Sequence, residues 1–288
     1  MRAAALSGVT PLEPLYDEPH GEAVTVPLPA EMARLYGQLR FPPHTGRPYV
    51  ISNFVESLDG VTALGPSAEG GGGAISGFSA HDRMVMGLLR AVADAVVIGA
   101  GTLRADPAHV WTSEFIYPSL AAEYRALRAA LGKPRPPLTV VVTGRGSVDT
   151  ALPVFQSGDA PVLVMTTPKG AEAVRKRGLP PSCAVAVAGE GGAIAAREVV
   201  EAIGRHQRSD IILVEGGPRL LGAFVEERLL DELFLTVAPQ VAGRDGSVER
   251  PGLVAGRLFA PERPVWGRLL SVKRGDSHLF LRYGFGEG

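Results

Sequence analysis

The sequence predicts an α/β protein whose central sheet is mostly parallel, is flanked by helices and closes with an antiparallel C-terminal hairpin. From residue 48 onward, short apolar segments alternate with amphipathic ones, the order typical of a parallel sheet with helices on both faces. Two further strand candidates, 265–273 and 278–283, are separated only by Arg-Gly-Asp-Ser, a length that predicts a hairpin. The sheet is therefore expected to be mixed.

The individual elements follow from apolar runs and from helix start signals. The candidate strands are residues 49–54, 95–98, 138–143, 162–166, 184–188, 211–214 and 233–238. The candidate helices are residues 80–92, 119–131, 171–177, 193–206 and 219–230. Ser79 and Ser119 precede two of these helices and are expected to mark their first turns.

Residues 1–46 differ from the rest because they are rich in proline and contain one short helix candidate, 29–39. We expect them to form an N-terminal extension that carries no chemistry. Residues 47–288 are expected to form a single domain, since this length can bury a full core.

Composition excludes several classes of protein. The chain has 288 residues, 45% of them hydrophobic, and a net charge of −1, with no basic run interleaved with aromatic residues, so nucleic acid is not an expected partner. No apolar stretch approaches the roughly 20 residues of a membrane span. The single cysteine, Cys183, lies in an apolar run, which favours a buried thiol. The six histidines show no ligand spacing, so we expect no metal. Because the sequence shows neither a signal-peptide core nor a membrane span, we expect a cytoplasmic protein.

One glycine turn follows the candidate strand 211–214. Gly216 and Gly217 come after Glu215, at the end of the strand and the start of the next helix. Free backbone N–H groups and the helix dipole favour an anion at such a position. A phosphorylated cofactor or substrate is the expected ligand.

A second glycine turn follows the candidate strand 95–98. Gly99, Ala100 and Gly101 would let a pyrophosphate approach the backbone, and the hydroxyl of Thr102 adds a donor. The stretch lacks the third glycine of the usual dinucleotide fingerprint, so alone it favours a tight turn without a ligand. Two such turns at one sheet edge make a shared crevice the better interpretation.

Polar residues also follow the first strand of the sheet. Asn53, Ser57 and Asp59 could face a ligand at the end of a rigid element. Asp59 precedes Gly60, and an Asp-Gly pair often bonds only local backbone. The glycine run 70–73 lies shortly beyond and is expected to be flexible.

Three motifs in this order resemble the pyrimidine reductase family of riboflavin biosynthesis. They are Ser57-Leu58-Asp59-Gly60, then Leu89-Arg90-Ala91 leading to Gly99-Ala100-Gly101-Thr102-Leu103-Arg104-Ala105-Asp106-Pro107, and Glu215-Gly216-Gly217-Pro218-Arg219-Leu220-Leu221-Gly222. That family is the reductase half of a bifunctional deaminase/reductase and has a dihydrofolate reductase-like fold. The resemblance covers about residues 48–285.

The resemblance implies a stand-alone reductase domain that uses NADPH to reduce a ribosylamino-pyrimidine phosphate by hydride transfer to the opened ribose. One cysteine cannot supply the zinc site of the deaminase half. The implied cofactor-binding residues are Gly99, Ala100, Gly101, Thr102, Asp106, Gly216, Gly217, Pro218, Arg219, Leu220, Leu221 and Gly222. Arg145 could bond the 2′-phosphate of NADPH, although a solvated surface arginine is nearly as good an interpretation.

The implied substrate-binding residues are Asn53, Ser57, Ser76, Arg90 and His109. If a general acid exists, Asp59 or Glu215 is the candidate. The chain departs from the family where Val61 and Thr62 follow the Asp59 turn in place of a basic residue. His109 then stands where a phosphate-binding group is expected. These departures concern the substrate more than the cofactor.

Two alternatives remain open from the sequence. One is an NADPH-dependent reductase of the same fold that acts on another heterocycle, such as dihydrofolate or a pterin-like compound. The other is a non-catalytic nucleotide-binding module. We also expect a homodimer, because the resembling family is commonly dimeric.

Overall fold

The computed structural model describes residues 9–19, 22–65, 71–189 and 192–286. Within this part of the chain, ten strands form one sheet in the order β1-β11-β12-β10-β4-β9-β5-β6-β7-β8, and two short strands pair separately. The strands are β1 (Glu13–Asp17), β2 (Val24–Thr25), β3 (Arg40–Phe41), β4 (Tyr49–Ser57), β5 (Ala95–Gly99), β6 (Leu138–Thr143), β7 (Val162–Thr166), β8 (Cys183–Val187), β9 (Ile211–Val214), β10 (Glu232–Ala238), β11 (Arg268–Gly275) and β12 (His278–Gly284).

Seven neighbouring strands, from β10 to β8, are parallel, which confirms the predicted parallel sheet. The residues of β4, β5 and β6 are almost all buried because helices cover both faces, as the near-continuous apolar runs predict, whereas the edge strand β8 is only partly buried. β9, which follows β8 in the chain, lies in the middle of the sheet between β4 and β5.

The antiparallel C-terminal hairpin is also confirmed. β11 pairs with β12, and β12 pairs with β10, so the hairpin extends the sheet beyond β10. The first of these strands begins at Arg268 rather than at residue 265. Val265 and Trp266 are exposed, so their apolar character does not mark a buried strand.

The helices divide between the two faces of the sheet. They are α1 (Ala30–Tyr36), α2 (Gly72–Ser76), α3 (Ala80–Val92), α4 (Ala100–Ala105), α5 (Ser113–Ile116), α6 (Ala121–Ala130), α7 (Pro153–Gln156), α8 (Pro168–Arg177), α9 (Ala196–His206) and α10 (Pro218–Glu226). The cluster on one face contains residues of α1, α3 and α6, and the cluster on the other contains residues of α9 and α10. Val50 and Ile51, which are consecutive in β4, belong to opposite clusters, because successive side chains of a strand point to opposite faces of the sheet.

Both predicted helix starts can be compared with the structure. The Ser79 hydroxyl accepts a hydrogen bond from the amide of Asp82, so Ser79 caps α3 as predicted. Ser119 does not cap α6, because residues 118–120 form a 3-10 turn and Leu120 precedes the helix. The predicted helix therefore begins two residues later.

The N-terminal segment contributes to the sheet. β1 pairs antiparallel with β11 and forms one edge, while Met32, Leu35 and Tyr36 of α1 are buried in the core. The division of the chain at residue 46 stays a prediction. Residues 13–17 nevertheless complete the same sheet that residues 49–284 build.

Candidate functional site

The parallel strands β4, β9 and β5 approach one edge of the sheet together. Val214, the last residue of β9, pairs with Ser52 on one side and with Val97 on the other. Beyond this level β9 and β5 lead into the two glycine turns, whereas β4 continues to Ser57 beside β10. Ligands of open parallel sheets bind at such carboxyl edges, where connections diverge. This edge, formed by residues 53–57, 99–102 and 215–218, is termed the crevice.

The two predicted glycine turns are in contact. A Cβ atom added to Gly216 would lie 2.5 Å from the amide nitrogen of Gly99 and 2.5 Å from the Cα of Ile98. No side chain fits in that space, because real Cβ atoms do not approach backbone atoms so closely. Gly216 is therefore required for the two turns to pack against each other. The surface that the two turns form together is termed the ledge.

The start of α10 presents backbone donors to the crevice. Gly217 has φ +64°, a conformation that favours glycine, and Pro218 occupies the first turn. Among the described residues, no group accepts a hydrogen bond from the amide of Gly216 or Gly217. Unpaired donors at the start of a nine-residue helix suit an anion.

The remainder of that predicted cofactor stretch has structural contacts. The side chain of Leu221 is fully buried in the core, and a Cβ added to Gly222 would meet Val254 at 3.0 Å. Leu220 packs against the same core. Arg219 is exposed and pairs with Glu249 at 3.5 Å. The part of this stretch that is free to hold an anion is therefore Gly216, Gly217 and the first turn of α10, and it is termed the cradle.

The second glycine turn leaves open space at Gly101. The chain passes from β5 directly into α4, with Gly99 as the residue before the helix. No described heavy atom lies within 4 Å of a Cβ added to Gly101, although Gly101 has an ordinary helical conformation. The Thr102 hydroxyl oxygen lies 3.7 Å from the Cβ position of Gly217. Thr102 therefore lies beside Gly217, and its contact with a cofactor stays a prediction.

Arg90 and Glu215 form a buried ion pair. Nε and Nη2 of Arg90 donate to the Glu215 carboxylate at 2.8–3.1 Å, and Nη1 donates to the carbonyl oxygen of Thr112 at 3.1 Å. Only 2% of the Arg90 side chain and 5% of the Glu215 side chain are exposed. The main partner of each side chain is thus the other one. The sequence does not reveal this pairing.

Asp59 anchors a loop. Its carboxylate accepts hydrogen bonds from the Ser57 hydroxyl at 2.7 Å and from the amides of Ala242 and Gly243 at 2.9 and 2.8 Å. These donors, the Ser57 hydroxyl first, hold the pKa of Asp59 well below its usual range. A carboxylate without a proton near neutral pH is a poor general acid. The geometry therefore favours the interpretation that Asp59 holds its turn through hydrogen bonds with neighbouring groups.

A buried polar cluster around Asp82 was not predicted. The carboxyl of Asp82, which is 3% exposed, lies near the hydroxyls of Ser76 and Thr236, both of which act to lower its pKa. Nε2 of His278 donates to the carbonyl oxygen of Ser76 at 2.9 Å. Burial raises the pKa of Asp82 above its ordinary value, although both hydroxyls and His278 oppose the shift. Ser76, predicted as a substrate residue, is buried within this cluster.

Asp106 and His109 form a second pair beside the crevice. Nδ1 of His109 lies 3.0 Å from the Asp106 carboxylate, and Nε2 is buried without a partner among the described residues. The ring packs against Trp111 and Phe115, with centroid distances of 4.7 and 5.0 Å. Burial and, secondarily, Arg90 lower the pKa of His109. The predicted cofactor contact of Asp106 therefore competes with its bond to His109.

Two other predicted residues lie apart from this pair. Asn53 is buried and lines a small cavity with Tyr36, Thr236 and Lys273. Arg145 is exposed after the end of β6, on a loop whose Gly146 carbonyl accepts a hydrogen bond from Arg177 at 2.8 Å. Asn53 therefore lies on the face of β4 that packs against α3. Arg145 follows β6, which lies on the side of β5 away from β9.

The described ranges contain neither a membrane-spanning helix nor a group of metal ligands. No helix in residues 9–19, 22–65, 71–189 or 192–286 is long and apolar enough to cross a membrane. In the same parts of the chain, no three His, Cys, Asp or Glu side chains are grouped as a metal site would require.

Sequence comparisons identify similar proteins. Residues 48–261 match the model of a family described as the RibD C-terminal domain. The 2,5-diamino-6-ribosylamino-4(3H)-pyrimidinone 5′-phosphate reductase of Archaeoglobus fulgidus is 28% identical over 206 residues, which cover 69% of this chain and 84% of that protein. The riboflavin biosynthesis protein RibD of Aquifex aeolicus is 24% identical over 72% of this chain. The chain spans about half of the latter protein, 51% of its length.

Solved structures share the fold. RibD of Acinetobacter baumannii aligns with a TM-score of 0.61 and 21% identity, over 84% of this chain and 59% of that one. The riboflavin biosynthesis reductase Rib7 of Saccharomyces cerevisiae aligns with a TM-score of 0.57 and 14% identity, over 85% of this chain and 93% of that one. These likenesses confirm the predicted dihydrofolate reductase-like architecture.

Proposed function

The chain belongs to the RibD C-terminal domain family, and from this premise we propose that it is an NADPH-dependent reductase. Its substrate is a ribosylamino-pyrimidine phosphate, as in the name of the Archaeoglobus relative, and the product carries the opened, reduced sugar chain. Reduction of a nucleoside-like sugar requires a hydride donor, a way to align the two reactants and exclusion of water.

The contact between the two glycine turns carries this proposal. Gly216 approaches the backbone of Gly99, so the amides at the start of α10 and the open backbone at Gly101 face one space. A pyrophosphate needs unpaired amides and room to approach the chain, and this ledge supplies both. The residues present therefore fit the phosphate portion of a dinucleotide.

The remaining roles follow from position. When bound, NADPH supplies the hydride; the chain aligns the reactants. Thr102 offers a hydroxyl to the cofactor, and Arg145 offers a positive charge to its 2′-phosphate. The Arg90–Glu215 pair fixes the floor of the crevice with its charges already balanced, so it presents a rigid polar surface to the substrate.

A homodimer and a cytoplasmic location stay predictions. The two edge strands, β1 and β8, carry exposed apolar residues, Leu15 and Tyr16 on one and Val185 and Val187 on the other. Light scattering over a range of concentrations measures the oligomeric state directly.

The first experiment is binding of NADPH and NADH by calorimetry, followed by addition of the ribosylamino-pyrimidine phosphate while NADPH absorbance is recorded. Tight NADPH binding with rapid oxidation is expected. Binding without turnover would transfer the assignment to another heterocycle, and dihydrofolate is the next substrate to test. Binding with no turnover of any substrate would favour a nucleotide-binding module, and no binding of either nucleotide would refute the cofactor assignment.

Gly101→Ala tests the cradle itself. The added methyl meets no protein atom and improves helix propensity, so stability should stay equal or rise by up to about 1 kcal/mol. The same methyl occupies the approach of the pyrophosphate, so the Kd for NADPH should rise on the order of 10-fold. Gly204→Ala in α9, where a methyl also meets nothing, is the matched control and should leave the Kd unchanged. Equal Kd values for both variants would contradict the proposed cradle.

A further inference from the structure

The contact with Asp106 determines which proton His109 carries. A carboxylate only accepts hydrogen bonds, so the short contact between Asp106 Oδ2 and His109 Nδ1 places the proton on Nδ1. Nε2 then carries a lone pair and no hydrogen in the neutral ring. The neutral His109 ring thus presents a single hydrogen-bond acceptor.

The residues around His109 keep its imidazole ring neutral and hold its orientation. Burial lowers the pKa of His109, and the nearby Arg90 guanidinium acts in the same direction, while Asp106 and Glu215 oppose it. Trp111 and Phe115 pack against the ring at 4.7 and 5.0 Å. His109 is therefore neutral near physiological pH, and its orientation is set before any ligand arrives.

The acceptor at Nε2 is unused. It is buried, and no donor among the described residues reaches it. Buried polar atoms are normally paired, so an orphaned acceptor marks the position of a donor that the described residues do not supply. Phe115, one of the two rings packed against His109, is 45% exposed, so this side of the His109 ring lies near solvent.

The position of the pair fits a sugar close to the cofactor cradle. Asp106 follows α4, and its Cβ lies 3.9 Å from the Cβ position of Gly71 at the start of α2. The His109 ring packs against Trp111, and the carbonyl oxygen of the next residue, Thr112, accepts a hydrogen bond from Arg90 at 3.1 Å. His109 therefore lies near the buried ion pair.

We propose that Nε2 of His109 accepts a hydrogen bond from a hydroxyl group of the substrate's sugar chain and does not bind its phosphate. A phosphate dianion offers acceptors only, and a neutral imidazole acceptor repels it. The inference rests on the proposed function for the identity of the substrate, and it replaces the expectation that His109 binds phosphate.

Two substrates separate the alternatives. His109→Leu removes the acceptor and should raise KM on the order of 10-fold for both the phosphorylated and the dephosphorylated ribosylamino-pyrimidine, with the NADPH Kd unchanged. His109→Gln, whose amide oxygen can accept, should recover part of the loss. His206→Gln on the exposed surface of α9 is the control. A KM effect confined to the phosphorylated substrate would overturn the proposal.

The pH dependence has opposite signs under the two hypotheses. Protonation converts Nε2 from an acceptor into a donor, so the wild-type KM for the dephosphorylated substrate should rise as the pH falls through the pKa of His109. A phosphate site would bind more tightly on protonation, so a KM for the phosphorylated substrate that falls in this range would overturn the assignment.

Histidine ring NMR supplies a readout that does not need turnover. In uniformly ¹⁵N-labelled protein, the resonance lost in His109→Leu should report a neutral ring with the proton on Nδ1. An Nε2-protonated tautomer, or a charged ring near pH 7, would refute the inference even if the reductase activity is confirmed. If the wild-type protein shows no turnover, the proposed function fails separately, and the tautomer result still stands.

Discussion

Replacing Glu215 with Gln isolates the contribution of the buried ion pair. The variant keeps the volume of the side chain and removes its charge, which leaves the Arg90 guanidinium 2% exposed and without a counter-ion. A buried charge cannot recover its lost hydration, so removal of one partner is strongly destabilising.

The geometry sets the magnitude. Two nitrogens of Arg90, Nε and Nη2, make three contacts of 2.8–3.1 Å with the carboxylate, and neither side chain is exposed enough for solvent to screen the pair. Breaking such a pair costs about 3–5 kcal/mol, and the Gln oxygen retains part of the hydrogen bonding, so we expect about 3 kcal/mol. At about 2–4 °C per kcal/mol, Tm should fall by roughly 6–12 °C.

A double-mutant cycle measured by urea unfolding is the assay. Arg90→Met and Glu215→Gln should each destabilise, and the double variant should lose at least about 2 kcal/mol less than the sum, because it buries no unpaired charge. A Glu215→Gln loss below about 1 kcal/mol, or additivity within about 0.5 kcal/mol, would refute the ion-pair reasoning.

Two further predictions concern residues beside the pair. Gly216→Ala places a methyl 2.5 Å from the backbone of Gly99 and Ile98, so it should cost about 1–3 kcal/mol and weaken NADPH binding; wild-type urea midpoints and Kd would contradict the close approach. Asp82→Asn should gain stability relative to wild type as the pH rises from about 4 toward 7, since the unfolded Asp ionises near about 3.9 while burial raises the pKa in the folded state. Urea midpoints at both ends of this range measure the difference, and one that does not grow with pH would count against the buried carboxyl.

Local signals in the sequence predict the sheet and its glycine turns. Apolar runs mark β4 to β10, and glycines at Gly216 and Gly99 mark turns whose geometry depends on a few neighbouring residues. β1 gives no such signal, because all five of its residues are exposed and its pairing with β11 lies at the opposite end of the chain. Exposed edge strands carry little apolar pattern, so their pairing follows from the assembled sheet.

The side-chain partners at the site depend on tertiary contacts. Arg90 and Glu215 are 125 positions apart, and a charged residue that faces a ligand has the same sequence signature as one that faces another charge. Asp82 has a recognisable place in the first turn of α3, but its burial depends on Thr236 of β10. Residue type and spacing identify such groups without identifying their partners.

The central position of β9 affects how the chain matures. Residues 49–188 leave the ribosome before Ile211–Val214, yet β4 and β5 are joined only through that later strand. Until it arrives, both strands expose an unpaired edge, and this edge persists while the intervening residues are synthesised. The joining of β4 to β5 and the contact between the two glycine turns therefore come from the same late event, because Gly216 follows β9 almost directly.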